Sequence, residues 1–154
     1  MRTMDGMFRK TVFVVIYAAL FCTAAFAQSP SGTPAEAKAM LEKAVDAVKA
    51  DKTKALEMFN KGEGGFKDRD LYVFCANASD GIETAHPTHK GAKLTNIKDS
   101  KGFAFGQEMM ETATEGKISE ITYMWPKPDS KEPAQKLTYY TKVGDQICGV
   151  GSYK

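Results

Sequence analysis

The C-terminal stretch QKLTYYTKVGDQICGVGSY, residues 135–153, decides the fold class. Two runs rich in β-branched and aromatic residues, 135–142 and 146–153, flank the short turn VGD, which is typical of two antiparallel strands. Residues 118–125 form another such run, and the loop PKPD follows it. The sequence therefore predicts a three-stranded antiparallel meander at this end of the chain.

An earlier pair of strands precedes the meander. Residues 70–76, DLYVFCA, predict a strand because they are mostly β-branched or aromatic. The tight turn SDG and residues 82–86 predict the returning strand of a hairpin. A long polar loop, 87–101, follows, and residues 103–115 predict a short helix that ends at Gly116.

Two helices are predicted before the first strand. Thr33, Pro34 and Glu36 form the start of the first, as a capping box with proline at the first helical position. Asp51 can cap a second, shorter helix, which ends at the glycines that begin with Gly62. Apolar residues at helical spacing support both helices, namely Ala37, Met40, Leu41, Ala44, Val45 and Val48 in the first and Ala55, Leu56, Met58 and Phe59 in the second. Together with the strands, they predict an α+β fold with a five-stranded antiparallel sheet.

Residues 1–27 differ from the rest of the chain and predict a secretory signal peptide. A basic start precedes the apolar run 11–25, and the small residues of AFA then match a signal-peptidase site before Gln28. The apolar run is shorter than the ~20 residues that span a bilayer, although an uncleaved N-terminal anchor is the alternative. We expect residues 28–33 to be a short tether and 34–154 to form one domain.

The charge of the exported part argues against a nucleic-acid partner. Cleavage would remove three of the 21 basic residues and one of the 19 acidic ones, which leaves a neutral chain whose single arginine is Arg69. A neutral chain without a basic cluster lacks the electrostatic surface that nucleic acid requires. The composition, 43% hydrophobic and 26% charged, is typical of a globular domain.

Cys75 and Cys148 are the two cysteines outside the leader, and in an exported protein such a pair predicts a disulfide. No CxxC motif is present, so thioredoxin-like redox chemistry and covalent haem are not supported. A disulfide needs Cα atoms within about 7 Å of each other. Because the two cysteines lie in the first and last predicted strands, these strands should be neighbours in the middle of the sheet.

The sequence contains no recognisable catalytic constellation. His86 and His89 flank Pro87 and lack a local third ligand, which argues against zinc or haem. No GxSxG motif occurs, and the predicted disulfide removes Cys75 as a nucleophile that His86 could activate. We expect no cofactor and no metal. An enzyme or metal carrier that uses both histidines and a reduced cysteine is the least favoured alternative.

Aromatic residues concentrate in the predicted strands. A packed aromatic core is the simplest interpretation, and for any single side chain it outweighs contact with a ligand. The alternative is a small apolar cavity in which tyrosine hydroxyls, a histidine and a lysine bind a small anion such as a carboxylate. The residues concerned are Tyr72, Phe74, Tyr123, Trp125, Tyr139 and Tyr140, with His86 and Lys136 in or beside the strands.

Several short motifs, taken in order, resemble the single Cache sensor domains (sCache, type 2) of bacterial chemoreceptors and histidine kinases. They are DG at 80–81, AHP at 85–87, YMWPKP at 123–128, KLTY at 136–139 and GVGSY at 149–153, with Gly91, Leu94, Asp99, Gly102 and Phe105 after the second. The resemblance covers residues 34–153. It implies a PAS-like fold with a long N-terminal helix on a central antiparallel sheet. It also implies a ligand pocket between the sheet and residues 87–115, often for small organic acids or other metabolites.

The resemblance also sets the expected function, a periplasmic, non-enzymatic sensor domain for a small organic acid. The chain ends at Lys154, where a receptor would continue into a second transmembrane helix, so we expect a stand-alone exported form. Such a domain would signal through a membrane receptor or a histidine kinase, and the helix at 34–60 would permit a homodimer. The alternative is a docking module of such a partner without a ligand of its own.

Six residues are predicted to line the pocket. Lys136 and His86 would neutralise or hydrogen-bond the anionic end, tyrosine hydroxyls would orient it, and Trp125 would form an apolar wall. Strand alternation places Lys136 and Tyr139 on opposite faces, so one of the two lies outside the pocket. Arg69, flanked by two aspartates, is an outside candidate for carboxylate recognition, although a strand-end salt bridge explains it better. The six residues are His86, Tyr123, Trp125, Lys136, Tyr139 and Tyr72.

Overall fold

The computed structural model describes residues 30–154, so the predicted leader and its cleavage site lie outside the described residues. The elements, in chain order, are α1 Pro34–Ala50, α2 Lys52–Lys61, β1 Lys67–Asp68, β2 Leu71–Asn77, β3 Glu83–Ala85, a 3₁₀ turn at Leu94–Asn96, α3 Phe105–Thr112, β4 Ser119–Pro126, β5 Pro133–Val143 and β6 Gln146–Tyr153. No helix within residues 30–154 is both long and apolar enough to cross a membrane. The predicted α+β class with an antiparallel sheet is confirmed.

The start of α1 follows from its capping residues. The Thr33 hydroxyl accepts a hydrogen bond from the Glu36 N–H at 3.2 Å, and the Glu36 carboxylate accepts one from the Thr33 N–H at 2.7 Å. This reciprocal pair is the predicted capping box. Asp51 ends α1 and caps α2 by accepting from the Lys54 N–H at 3.0 Å. Gly62 then ends α2 in the left-handed conformation, with φ of +68°.

The strands form an antiparallel sheet in the order β1-β2-β6-β5-β4, and β3 pairs with β2. β2 and β6, the first long strand and the last, pair in its middle, with Val73 opposite Val150 and Cys75 opposite Cys148. The Cα atoms of the two cysteines lie 4.1 Å apart and their sulfurs form a disulfide. Both the disulfide and the adjacency of the first and last strands are thus confirmed.

The sheet separates two apolar clusters. On one face, α1 and α2 pack against alternate residues of the central strands, such as Val73 and Val150. On the other face, Tyr72 and Phe74 join aromatic side chains of β4 and β5. The 3₁₀ turn and α3 cover this second cluster, with Phe105 at its centre. The segment between β3 and β4 therefore covers the face on which the pocket was predicted.

Some element boundaries differ from those predicted. β1 was not predicted at all, β3 has only three residues, and α3 is shorter at both ends. α3 begins late because the Asp99 carboxylate accepts hydrogen bonds from the N–H groups of Lys101 and Phe103, at 2.8 and 2.9 Å, and holds that segment in a turn. It ends early because Thr114 forms a bridge with Lys117.

Removal of the disulfide tests how far the fold depends on the β2–β6 pairing. The bridge closes a loop of 73 positions, and bridges over long loops stabilise small domains by about 2–5 kcal/mol. We expect the double variant Cys75→Ala/Cys148→Ala to lose about that much free energy of unfolding in urea titrations. A loss below about 0.5 kcal/mol would contradict a central role for the bridge. Wild-type protein in reductant is the matched control.

Candidate functional site

Two glycines of β6 make room for side chains on the aromatic face of the sheet. A Cβ atom at Gly149 would lie 2.6 Å from the Phe74 ring, and one at Gly151 would lie 2.9 Å from Lys136 Cγ and closer still to Cε. Phe74 and Lys136 therefore lie directly against the backbone of β6. The Gly-x-Gly spacing of the C-terminal motif is thus explained by the side chains of Phe74 and Lys136, which lie over the two glycines.

Lys136 is the largest fully buried side chain and lies at the centre of this face. It is 1% exposed, and its Nζ donates a hydrogen bond to Tyr72 Oη at 2.7 Å. The ammonium also lies 4.0 Å from the Tyr72 ring centroid and 5.0 Å from that of Tyr153. Burial lowers the pKa of Lys136, while the Tyr72 hydroxyl opposes that shift. The site therefore contains a buried nitrogen donor walled by aromatic rings.

The loop after β3 places a neutral imidazole beside this lysine pocket. His86 is 7% exposed, and its Nδ1 accepts hydrogen bonds from the N–H groups of Thr88 and His89 at 3.0 and 3.1 Å. With Nδ1 an acceptor, the ring proton lies on Nε2. Burial lowers the pKa of His86 to about 3, so the ring is uncharged at neutral pH. An uncharged ring can hydrogen-bond an anion, which is one of the two roles predicted for His86, and this role stays a prediction.

Stacked aromatic rings close the face from the side of β4. The Phe105 ring stacks on Tyr123 with centroids 3.8 Å apart and meets the Trp125 ring edge-on at 5.4 Å. Trp125 also contacts the ring of His89, 5.5 Å away. The Tyr123 hydroxyl accepts a hydrogen bond from Thr138 Oγ1 at 3.1 Å, and burial raises its pKa. These rings form an apolar wall between the sheet and α3.

Two cavities lie on this face, and three residues line both of them. An internal cavity of about 10 Å³ lies among the aromatic rings, and an open cleft of about 640 Å³ lies outside them. Tyr72, His86 and Trp125 line the two cavities in common. These three side chains therefore form the partition between the buried interior and the solvent-accessible cleft.

Glu83 is a site residue that the sequence analysis missed. It is 3% exposed, it lines the internal cavity, and its Oε2 has no hydrogen-bond partner. Burial raises the pKa of Glu83 to about 8, even though the charge of Lys136 acts in the opposite direction. Simple alternation would place Glu83 on the same face as Ala85, which belongs to the cluster packed against α1 and α2. A register shift between β2 and β3, at Cys75 and Ala76, places them on opposite faces instead.

The structure brings together five of the six predicted pocket residues. Tyr72, His86, Tyr123 and Trp125 line the internal cavity, and Lys136 is bonded to Tyr72. Tyr139 is the sixth, and it lies on the opposite face, packed against the cluster of α1 and α2. Side-chain alternation along β5 predicted that Lys136 and Tyr139 lie on opposite faces of the sheet.

Arg69 has local structural partners, and the described residues contain no metal-binding cluster. Arg69 donates to Glu36 at 2.8 Å and to Asp68 at 2.7 Å, which matches the strand-end salt bridge. Within residues 30–154, no group of three or more His, Cys, Asp or Glu residues is placed to hold a metal ion.

A sequence model of the family described as Single Cache domain 2 matches residues 15–153. The chain belongs to this family. The resemblance seen in the short motifs is therefore confirmed. Cache domains are sensor modules of chemotaxis receptors, as the relatives of this chain illustrate.

Solved structures share the Cache fold with this chain. A methyl-accepting chemotaxis protein of Vibrio parahaemolyticus is 27% identical, with a TM-score of 0.63 over 77% of this chain and 86% of its own. A Cache chemosensory domain that recognises carboxylic acids is 24% identical, with a TM-score of 0.56 over 77% and 86% of the two chains. At this identity, the second similarity establishes the fold alone.

One curated relative is a full receptor. The methyl-accepting chemotaxis protein McpP of Pseudomonas putida is 35% identical over 74 residues, which are 47% of this chain and 14% of the receptor. The Cache domain described here thus corresponds to a small part of that receptor's length.

The buried carboxyl of Glu83 should make the stability of this Cache domain depend on pH. Glu83 keeps its proton in the folded protein up to about pH 8, whereas its ordinary pKa is 4.5. Between these values the folded state binds more protons than the unfolded state, so stability falls as the pH rises. We expect Glu83→Gln to remove this loss, so that its advantage over wild type grows by on the order of 3 kcal/mol from pH 5 to pH 8.

Urea titrations of both proteins at half-unit pH steps measure this difference. Ionisation of His86 changes stability in the opposite sense below pH 6.5, because burial lowers its pKa. Both proteins retain His86, so that contribution cancels. Parallel pH profiles for the two proteins would mean that Glu83 is ionised in the folded domain.

Proposed function

We propose that this protein is an extracytoplasmic sensor domain that binds a small organic acid on the aromatic face of its sheet and catalyses no reaction. The observation that carries the proposal is the buried Lys136, whose Nζ lies among aromatic rings with a single tyrosine hydroxyl as its hydrogen-bond acceptor. An ammonium group has three donors. A ligand carboxylate would use those that Tyr72 leaves free.

The walls around Lys136 favour a small anion with an apolar end. The side chains between the sheet and α3 are largely buried, and charge-assisted hydrogen bonds are stronger where the dielectric constant is low. Tyr123, Phe105 and Trp125 supply apolar surface for the rest of the molecule. A pocket with one buried amino-group donor and aromatic walls suits a short carboxylate better than a sugar or a phosphate.

The ligand must displace side chains to enter. The internal cavity, at about 10 Å³, has room for little more than one water molecule. The partition of Tyr72, His86 and Trp125 separates it from the open cleft, and Tyr72 is also the hydrogen-bond partner of Lys136. We infer that a ligand reaches the lysine from the cleft by moving these three side chains, with Trp125 the outermost.

Charge at the cleft supports an anionic ligand. Its lining carries three lysines, Lys67, Lys98 and Lys127, against two aspartates, Asp99 and Asp129. The Asp99 carboxylate already accepts hydrogen bonds from three backbone N–H groups, which occupy much of its acceptor capacity. A mouth with excess positive charge raises the local concentration of anions and their rate of association.

The relatives support the sensory role and the compartment. One solved Cache domain recognises carboxylic acids, one is a periplasmic sensor domain, and McpP is a chemotaxis receptor. An extracytoplasmic location also fits the predicted signal peptide and the Cys75–Cys148 disulfide, since such bonds persist in oxidising compartments. A receptor or histidine kinase as the partner, and a homodimer through α1, stay predictions.

The alternative role as a docking module without a ligand finds less support. An empty, fully packed pocket together with an exposed apolar patch on the outer helix would favour it. Among residues 30–154, the large hydrophobic side chains that are exposed are Ile82 and Phe103, and neither belongs to α1 or α2. We therefore favour the ligand-binding role.

A thermal-shift screen with a matched pair of variants tests this proposal. The panel contains short carboxylates, amino acids, amines and purines, and a ligand at 100 times its Kd should stabilise the domain by about 2.7 kcal/mol. We expect carboxylates to raise the Tm of wild type. Lys136→Met should weaken their binding by at least about 30-fold, because it removes the buried donor.

Tyr139→Phe is the control on the opposite face of β5, and it should bind like wild type. The Tm of each free variant reports whether it folds. A wild-type response to no carboxylate, or equal binding by the Lys136→Met variant, would contradict the proposed site.

A further inference from the structure

The side chain of Glu83 is buried, and one of its two carboxyl oxygens has no hydrogen-bond partner. Its backbone N–H donates to the Ala92 carbonyl and its carbonyl accepts from the Gly91 N–H, both at 2.8 Å. These two hydrogen bonds attach the backbone of Glu83 to the loop that follows β3. The side chain turns inward and is 3% exposed. Oε2 lies in the interior without a hydrogen-bond partner. An unpaired buried polar atom costs free energy and calls for an explanation.

The position of Glu83 connects it to the proposed acid site. It lines the internal cavity together with Tyr72, Tyr123 and Trp125. It also lies within electrostatic reach of Lys136, because each of the two side chains shifts the pKa of the other. A molecule that displaces these aromatic rings to reach Lys136 would therefore come next to the unpaired oxygen of Glu83.

The protonation state of Glu83 decides what it can offer such a molecule. With a pKa raised by burial to about 8, the side chain is a neutral carboxylic acid at neutral pH. A neutral carboxylic acid has an O–H donor, whereas an ionised carboxylate has only acceptors. Two carboxylates that share a site cannot both stay ionised without a large cost.

We propose that Glu83 is a ligand-binding residue that donates its O–H to the carboxylate of the bound acid, opposite the Nζ donor of Lys136. This inference rests on the proposed function. The O–H to carboxylate hydrogen bond is of the short, charge-assisted kind. Loss of the Glu83 proton would replace it by repulsion between two anions. Above a pH of about 8, where Glu83 is ionised in the free domain, binding of an acid therefore requires uptake of a proton, and the response to a given acid concentration weakens as the pH rises.

Other titratable groups face Glu83 from each packed element. His86 is neutral above a pKa of about 3, and the pKa of Tyr123 is raised above its ordinary value. Burial lowers the pKa of Lys136, so deprotonation of Lys136 is the competing explanation for weaker anion binding at high pH. The test must therefore separate the effect of Glu83 ionisation on binding from the effect of Lys136 deprotonation. The titratable groups near Glu83 are Lys136 from β5, Tyr123 from β4, Tyr72 from β2 and His86 from the loop after β3. Asp70, in the turn before β2, acts on Lys136.

Calorimetric titrations with the straight-chain acids from acetate to hexanoate make that separation. These ligands are ionised throughout the range from pH 6.5 to pH 9.5, so their own titration does not contribute. The affinity of wild type should fall about 30-fold across the range, in proportion to the protonated fraction of a group with a pKa of about 8. Glu83→Gln has an amide N–H donor at every pH, so its affinity should stay within about threefold over the same range.

Each outcome bears on the inference. A wild-type affinity that does not change with pH would overturn it and leave the proposed function intact. A Glu83→Gln variant that keeps the wild-type slope would also overturn it, and would assign the slope to Lys136. If glutamine prevents folding, Glu83→Ala should bind more weakly at pH 6.5 and show no slope. No binding of any of these acids at either pH would overturn the proposed function and this inference together.

Discussion

The antiparallel pairing of β2 with β6 is the constraint on which the rest of the structure depends. The register that sets Cys75 opposite Cys148 also fixes which residues face each side of the sheet. Val73 and Val150 turn toward the helices, and the alternate residues turn toward the aromatic cavity. A slip of one residue would exchange the two faces and expose the aromatic site to α1. The disulfide at the centre of the pairing opposes such a slip.

Burial of polar groups distinguishes the aromatic face from an ordinary core. Lys136 and Glu83 both lie in it, 1% and 3% exposed. A neutral or ionic pair of this kind rarely increases stability over apolar side chains of the same volume. The proposed ligand recognition would explain their presence, and Gly151, which makes space for Lys136, is part of the same arrangement.

Local sequence signals predicted most of the framework. The capping box at Thr33 and Glu36 depends on four consecutive residues, and the strand patterns depend on alternation within single runs. The long-range arrangement of the strands was predicted from the two cysteines and from the resemblance of the ordered motifs to the family. The same alternation separated Lys136 from Tyr139 without showing which of the two lies in the pocket, because burial on either face gives the same pattern.

What the sequence could not predict depends on contacts between distant segments. Glu83 enters the site only because the pairing of β3 with β2 is irregular, and no residue pattern marks that shift. The neutral state of His86 follows from backbone donors in the loop and from burial. The near closure of the internal cavity depends on how Phe105 stacks on Tyr123 across 18 positions of chain.

The central claim is that an acid binds behind the partition of Tyr72, His86 and Trp125. The most direct measurement is a crystal structure of the protein grown with the carboxylate that binds most tightly. We expect density for the acid on the aromatic face, with one carboxylate oxygen about 3 Å from Lys136 Nζ and Trp125 displaced toward the cleft. An acid bound elsewhere on the domain, with Lys136 still bonded only to Tyr72, would contradict the account.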